Sequence, residues 1–296
     1  MSKRGLIHKM EIIWIIINSI IASAVYGLVA LGFNLAYGAT KFFNLAHGAM
    51  VVIGGYIFYG LSQVLGINPG FSVFAGVAIT GFTGWLVDRL IYLPLRRKKA
   101  SNMVFLVASM GILAVIQSIV AMVFTNQFRL LGLNIQVSPA IVICGYSIMR
   151  VQLLMVILTL LIMTGLALLL RMTLFGKAVR AISDDEEVAK MVGIDTDRVI
   201  GQVFFIGSAI AGLSGILIGF DTGMEPAMGL GLLFKGVIAS VIGGVGNIYG
   251  GIAGALMLGF VENFGIWKLS SEWKDAIAFS ILIIFLLFRP QGIFKK

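Results

Sequence analysis

Long apolar runs separated by short polar stretches fill most of this chain. They lie at Ile12–Gly38, Ala49–Leu65, Phe71–Leu93, Met103–Phe124, Pro139–Met149, Leu153–Leu170, Val199–Phe220, Phe234–Val245, Gly251–Phe264 and Ala276–Phe288. A helix needs about 20 apolar residues to cross ~30 Å of hydrocarbon. None of the runs alternates in the ~10-residue manner of a membrane β-barrel, so helices are expected. Pro139–Met149 and Phe234–Val245 are short and contain glycine. They predict broken or re-entrant segments, which survive where protein or a water-filled cavity covers the backbone. The pattern as a whole predicts an all-α, polytopic transmembrane helical bundle with about eight to ten membrane segments.

One segment departs from this pattern. Arg171–Arg198 is the only long charged stretch, and apolar spans lie on both sides of it. A charged hairpin between two spans stands in water, and its lysines and arginines put it on the cytoplasmic side. Arg89–Lys99 and the tail residues Arg289, Lys295 and Lys296 belong on the same side. Thr125–Ser138 and Asp221–Leu233 carry almost no positive charge and suit the opposite side. The side of the N-terminus stays open. Its own charge says cytoplasmic, but three apolar runs precede the Arg96–Lys99 cluster. Either the N-terminus is outside or one run does not fully cross.

Within the charged stretch, Ser183-Asp184-Asp185-Glu186 fits a capping box with Ser183 as N-cap and Glu186 at N3. Lys190 suits a last turn, and Gly193 suits the position after it. A short helix is therefore predicted over Asp184–Val192. Val188, Met191 and Val192, with Ala189, give it an apolar face at helical spacing. So short a helix is marginal alone in water and must dock. The docking surface is either the protein's own membrane domain at the bilayer surface or a groove in a cytoplasmic subunit.

Composition narrows the function classes. Of 296 residues, 59% are hydrophobic and 12% charged, against about 25% charged in soluble domains. A soluble fold is excluded. The net charge of +9 would suggest nucleic acid in a soluble protein, but here the basic residues flank spans and set topology. No nucleic-acid partner is expected. The single cysteine, Cys144, rules out an intrachain disulfide and a cysteine metal cluster. Ile12–Gly38 is too long for the core of a cleaved signal peptide and reads as a retained span. No phosphate-binding loop is present, so any ATP acts on another chain. The chain is expected to bind no cofactor itself and to catalyse no reaction, since no convergent catalytic set appears.

Polar residues inside apolar segments are costly unless they face protein or water. Asn34, Tyr37, Asn44 and His47 lie around an expected break at Gly38. They either bond helix to helix or line a translocation path. His47 has no second histidine or cysteine nearby, so no metal site is expected. Lys235 follows Asp221 and Glu225 and is expected to neutralise a buried acid or to meet a substrate carboxylate. Asp88 and Arg89 are expected to reach the membrane interface, and Glu262 to sit near a membrane surface. Helix breaks at Gly38 and Gly243–Gly246 offer backbone N–H groups that suit an anionic ligand.

The run Phe175-Gly176-Lys177-Ala178-Val179-Arg180-Ala181, followed by Ala189 and by Gly193-Ile194-Asp195-Thr196-Asp197-Arg198-Val199, resembles the cytoplasmic loop of permease subunits in branched-chain amino acid ABC importers. Ala30–Gly38 with Phe43-Asn44-Leu45-Ala46-His47-Gly48 is similar to that family's N-terminal motif. Lys235-Gly236, Val241–Asn247 and Gly250-Gly251 resemble its glycine-rich segment. Trp273-Lys274-Asp275 and Arg289–Phe294 resemble its C-terminus. The resemblance implies a single permease domain over 1–296 in a bacterial cytoplasmic (inner) membrane, with a coupling loop at about 171–198. The coupling residues are then Gly176, Arg180, Ser183, Glu186, Val188, Ala189, Met191, Val192 and Gly193. It implies four kinds of neighbour: a second homologous permease, two ATPases carrying ATP-Mg, a solute-binding protein outside, and the lipid bilayer. Permeases for urea or short amides look much alike and remain an alternative. So does an ion-coupled secondary transporter using Asp221, Glu225 and Lys235.

Overall fold

The computed structural model describes residues 3–132, 139–143, 146–267, 269–289 and 291–294. Cys144, Lys295 and Lys296 lie outside the described residues. The helices are α1 (Lys3–Thr40), α2 (Ala46–Tyr59), α3 (Pro69–Val87), α4 (Leu93–Arg97), α5 (Asn102–Phe124), α6 (Arg150–Met172), α7 (Leu174–Asp184), α8 (Glu186–Met191), α9 (Thr196–Asp221), α10 (Met228–Gly243), α11 (Ile248–Gly265) and α12 (Lys274–Phe288). A π-helical turn at Gly60–Val64 prolongs α2, and another at Asp88–Tyr92 joins α3 to α4.

Among the described residues, six helical stretches are long and apolar enough to cross a membrane: α1, α3 continued through α4, α5, α6, α9 and α11. Shorter apolar helices, α2, α10 and α12, pack with them. Most of Phe234–Val245 thus lies in a helix of 16 residues that ends at Gly243, short as expected.

Two expectations fail. Pro139–Met149 is no membrane segment: strand β1 (Pro139–Ile143) pairs antiparallel with β2 (Tyr146–Met149). Ile141, Val142 and Ile148 are β-branched and suit a pleated pair, and too few residues are present to span the hydrocarbon. Nor does Gly38 break a helix. α1 runs through it to Thr40, and the chain turns at Lys41, whose φ is +57°.

Three contacts gather the basic segments on one face. Lys41 Nζ donates to Ser183 Oγ at 3.3 Å. Arg97 Nη2 meets Asp197 Oδ2 at 3.1 Å. Ile293 N donates to Ile242 O at 2.9 Å near the C-terminus. The C-terminal end of α1 therefore lies on the same face as the charged loop, and the helix begins on the opposite one. Three helical stretches, α1, α2 and α3, precede Arg96–Lys99.

The bundle repeats itself in inverted form. α1 packs on α11 and α10 as α9 packs on α3 and α2, and α1 faces α9 as α2 faces α10. Glycines make these approaches possible. A Cβ on Gly32 would meet the Gly207 carbonyl at 2.7 Å, and one on Gly207 the Gly32 carbonyl at 3.0 Å. Gly48 and Gly229 oppose each other in the same reciprocal way. Between apolar helices in lipid, close backbone approach supplies the packing that water exclusion supplies elsewhere. Gly215 lies so near Val51 that a Cβ would overlap its carbonyl oxygen. Gly215→Ala is therefore expected to sharply reduce the yield of folded, monodisperse protein in detergent. Gly111→Ala, where no atom lies within 4 Å, should leave both yield and melting temperature unchanged.

Candidate functional site: the charged loop and the buried polar residues

The loop is built by tight caps. α6 ends at Met172, and Thr173 Oγ1 accepts from Gly176 N at 3.1 Å to start α7. A Cβ at Gly176 would run into the Leu170 carbonyl, so this turn requires glycine. α7 buries Val179 and Ile182 and turns Arg180 outward, where its Nη1 donates to the Leu170 carbonyl.

The next cap is not the expected one. Ser183 belongs to the last turn of α7, held helical because Val179 and Ile182 on the same helix pack into the core. The N-cap of α8 is Asp185, extended at φ −154°, whose Oδ1 accepts from Glu187 N at 2.8 Å and Val188 N at 3.0 Å. Glu186 is the first helical residue, and instead of closing a capping box it pairs with Lys190 at 2.7 Å and accepts from Thr196. Gly193 ends the helix as expected, at φ +86°. Asp195 then caps α9 by accepting from Arg198 N at 3.0 Å.

The apolar face of α8 divides. Ala189 is buried at 2% exposure in a cluster with Ile182, Ile200 and Phe204. Val188, Met191 and Val192 point away, 52%, 79% and 71% exposed. One small side chain anchors α8 to the bundle, and three larger ones face away from it.

Beneath the loop lies an ion network that local sequence reading missed. Asp88 is fully buried and accepts from Arg96 Nη1 at 2.9 Å. Arg96 and Arg97 both reach Asp197, at 3.9 and 3.1 Å. The end of α4 is thus tied to the first turn of α9, directly behind α8. Arg89, by contrast, does lie over the Trp85 ring, 5.7 Å from its centroid.

The buried polar residues form separate groups. Asn34 Oδ1 accepts from Gly246 N at 2.9 Å, and its Nδ2 donates to Asn247 O at 3.3 Å, tying α1 to the α10–α11 connection. Tyr37 is half-buried and stacks on Phe33. Asn44 Oδ1 accepts from Ala46 N at 3.1 Å and from the Tyr92 hydroxyl at 2.8 Å. His47 is buried with Nε2 at 3.3 Å from the Val29 carbonyl.

Lys235 does not join Asp221 and Glu225. Its Nζ lies 3.2 Å from Glu262 Oε1 and 3.1 Å from Asp275 Oδ1, while Asp221 accepts from Gln152. Glu262 is wholly buried within the bundle and also accepts from the Tyr26 hydroxyl at 2.6 Å. Lys235 thus neutralises a buried acid, and the acid–lysine cluster of the ion-coupled alternative is not assembled. At the α10–α11 break, the N–H groups of Gly244, Gly246 and Asn247 already donate to Ser240 O, Asn34 Oδ1 and Gly244 O. They are not free to hold a carboxylate.

Residues 15–286 match the family described as the permease component of the branched-chain amino acid transport system. The chain is 32% identical over 293 residues to the high-affinity branched-chain amino acid transport system permease protein LivH of Escherichia coli K12, covering 94% of each. It is 30% identical over 298 residues to the corresponding protein BraD of Pseudomonas aeruginosa, covering 95% of each. Among solved structures, PsaBC from Streptococcus pneumoniae in complex with Fab shares the fold. The TM-score is 0.50 and the identity 14%, over 93% of this chain and 91% of that one.

Proposed function

The chain belongs to the family of permease components of branched-chain amino acid transport systems, and from that membership we propose that it is one membrane subunit of an ATP-driven importer of leucine, isoleucine and valine. It pairs with a second, homologous permease and receives solute from a binding protein outside. Two cytoplasmic ATPases carrying ATP-Mg drive it. The observation that carries the coupling role is the outward-facing trio Val188, Met191 and Val192 on the six-residue helix α8. A helix this short, apolar on its wet side, is stabilised by seating in a hydrophobic groove of another protein.

The geometry supplies a mechanism. Closure of the ATPases on nucleotide displaces α8. Ala189 and the Arg96–Asp197–Arg97 contacts pass that displacement to α9 and α4. α9 packs on α1, α2 and α3, so the membrane helices move with it. The ATPases favour one state of the bundle only to the extent that they bind it better. Tyr37 and Lys235 keep partial exposure and are assigned to the solute route. Asn34, Asn44 and His47 serve as bonds between helices.

The test is uptake of labelled leucine by proteoliposomes holding both permeases, both ATPases and the binding protein. Uptake should require ATP inside the ATPase-facing compartment and be competed by isoleucine and valine but not by urea. Competition by urea would move the assignment to amide import. Uptake driven by an ion gradient with the ATPases omitted would overturn it.

A further inference from the structure

We propose that the cavity between α1, α6, α7 and the α10–α11 connection binds the headgroup of an anionic phospholipid of the cytoplasmic leaflet. The cavity measures about 500 Å³. Arg171, Arg180 and Ser183 line its polar side, and Leu35, Ala167 and Ile248 its apolar side. Such a mixture suits a charged head on an apolar body.

The two cavity arginines differ from the basic residues of the ion pairs above. Arg96 has Asp88, Arg97 has Asp197, Lys190 has Glu186, and Lys235 has Glu262 and Asp275. Among the described residues, neither Arg171 nor Arg180 forms an ion pair. The bond from Arg180 Nη1 to the Leu170 carbonyl holds its guanidinium over the α6–α7 turn. A guanidinium has five N–H donors, so others remain for an anion.

Position selects the ligand. Arg171 lies in the last turn of α6, a span of 23 residues. Its place is therefore the boundary where hydrocarbon gives way to headgroups. Leu153, Ile157, Leu160, Leu161 and Leu168 on α6 are exposed and face acyl chains. A lipid lying along α6 brings its phosphate to Arg171 without leaving the bilayer. Basic pockets between membrane helices on the cytoplasmic side are suited to anionic headgroups. Once bound, the phosphate bridges the end of α6 to α7, the helix that carries α8. The lipid thereby positions the coupling arm.

Binding is measured on the purified permease complex in detergent by native mass spectrometry. The probes are phosphatidylglycerol, phosphatidylcholine with the same acyl chains, and soluble glycerol phosphate. The parent complex should prefer phosphatidylglycerol over phosphatidylcholine by roughly 30-fold, as two basic residues near the headgroup imply. The preference should vanish in the Arg171→Gln, Arg180→Gln double variant. It should also vanish in Ala167→Phe, which keeps both charges but fills the cavity. Equal binding of the two lipids, or a preference that survives either variant, overturns the proposal. So does glycerol phosphate binding as tightly as phosphatidylglycerol, which would mark a site for a soluble anion. The readout needs no transport and stands apart from the uptake test above.

Discussion

Changing Val188, Met191 and Val192 together to aspartate is expected to abolish ATP-linked import while the membrane bundle stays folded. The three side chains are more than half exposed and contribute little to this chain's own core. Burying one such side chain in a partner groove stabilises the complex by about 1.5–3 kcal/mol. Three together contribute on the order of 5 kcal/mol or more, a factor of about 10³ in affinity. Three carboxylates in the same groove add a desolvation cost. Co-purification of the ATPases and leucine uptake should both fall by at least about 100-fold. Ala189→Asp provides the contrast. Ala189 is buried against Ile182, Ile200 and Phe204, so that variant should also lower the melting temperature, which the triple variant should not. Full import by the triple variant would remove α8 from the mechanism.

The second large effect is expected at the buried ion pair. Glu262 has no solvent exposure and is held by Lys235 at 3.2 Å and by Tyr26 at 2.6 Å. Removing one member of a buried pair typically costs 3–5 kcal/mol, roughly, because an uncompensated charge is left behind. Lys235→Met strands Glu262. Glu262→Leu costs less, because Asp275 still meets Lys235 at 3.1 Å and is 74% exposed to water. The order of melting temperatures should be parent, then Glu262→Leu, then Lys235→Met. The Lys235→Met, Glu262→Leu double variant should be more stable than Lys235→Met alone, since apolar replacement of a buried pair is often close to neutral. A double variant no better than the single would show that the pair is not coupled.

Much of this protein is legible in its sequence because the bilayer is a severe solvent. It demands long apolar runs and leaves charge to the connections, so the bundle and the charged loop follow from Leu153–Leu170, Arg171–Arg198 and Val199–Phe220. The stop at Gly193 is legible for the same local reason: few residues other than glycine adopt φ near +86° comfortably. What periodicity cannot carry is the choice among partners. Ser183 and Asp185 are both good caps, and the packing of Val179 and Ile182, which holds Ser183 in α7, decided for Asp185. Asp221 and Glu225 are nearer to Lys235 in the chain, yet the approach of α10, α11 and α12 gave it Glu262 and Asp275. The enclosure of Asp88 with Arg96 between α4 and α9 likewise has no mark in the local sequence. Local sequence sets which residues are apolar, capped or charged. Only the close approach of distant backbones, allowed by Gly32, Gly207, Gly48 and Gly229, fixes which of those charges meet, because hydrogen bonds and ion pairs depend on distances of about 3 Å that no spacing along the chain specifies.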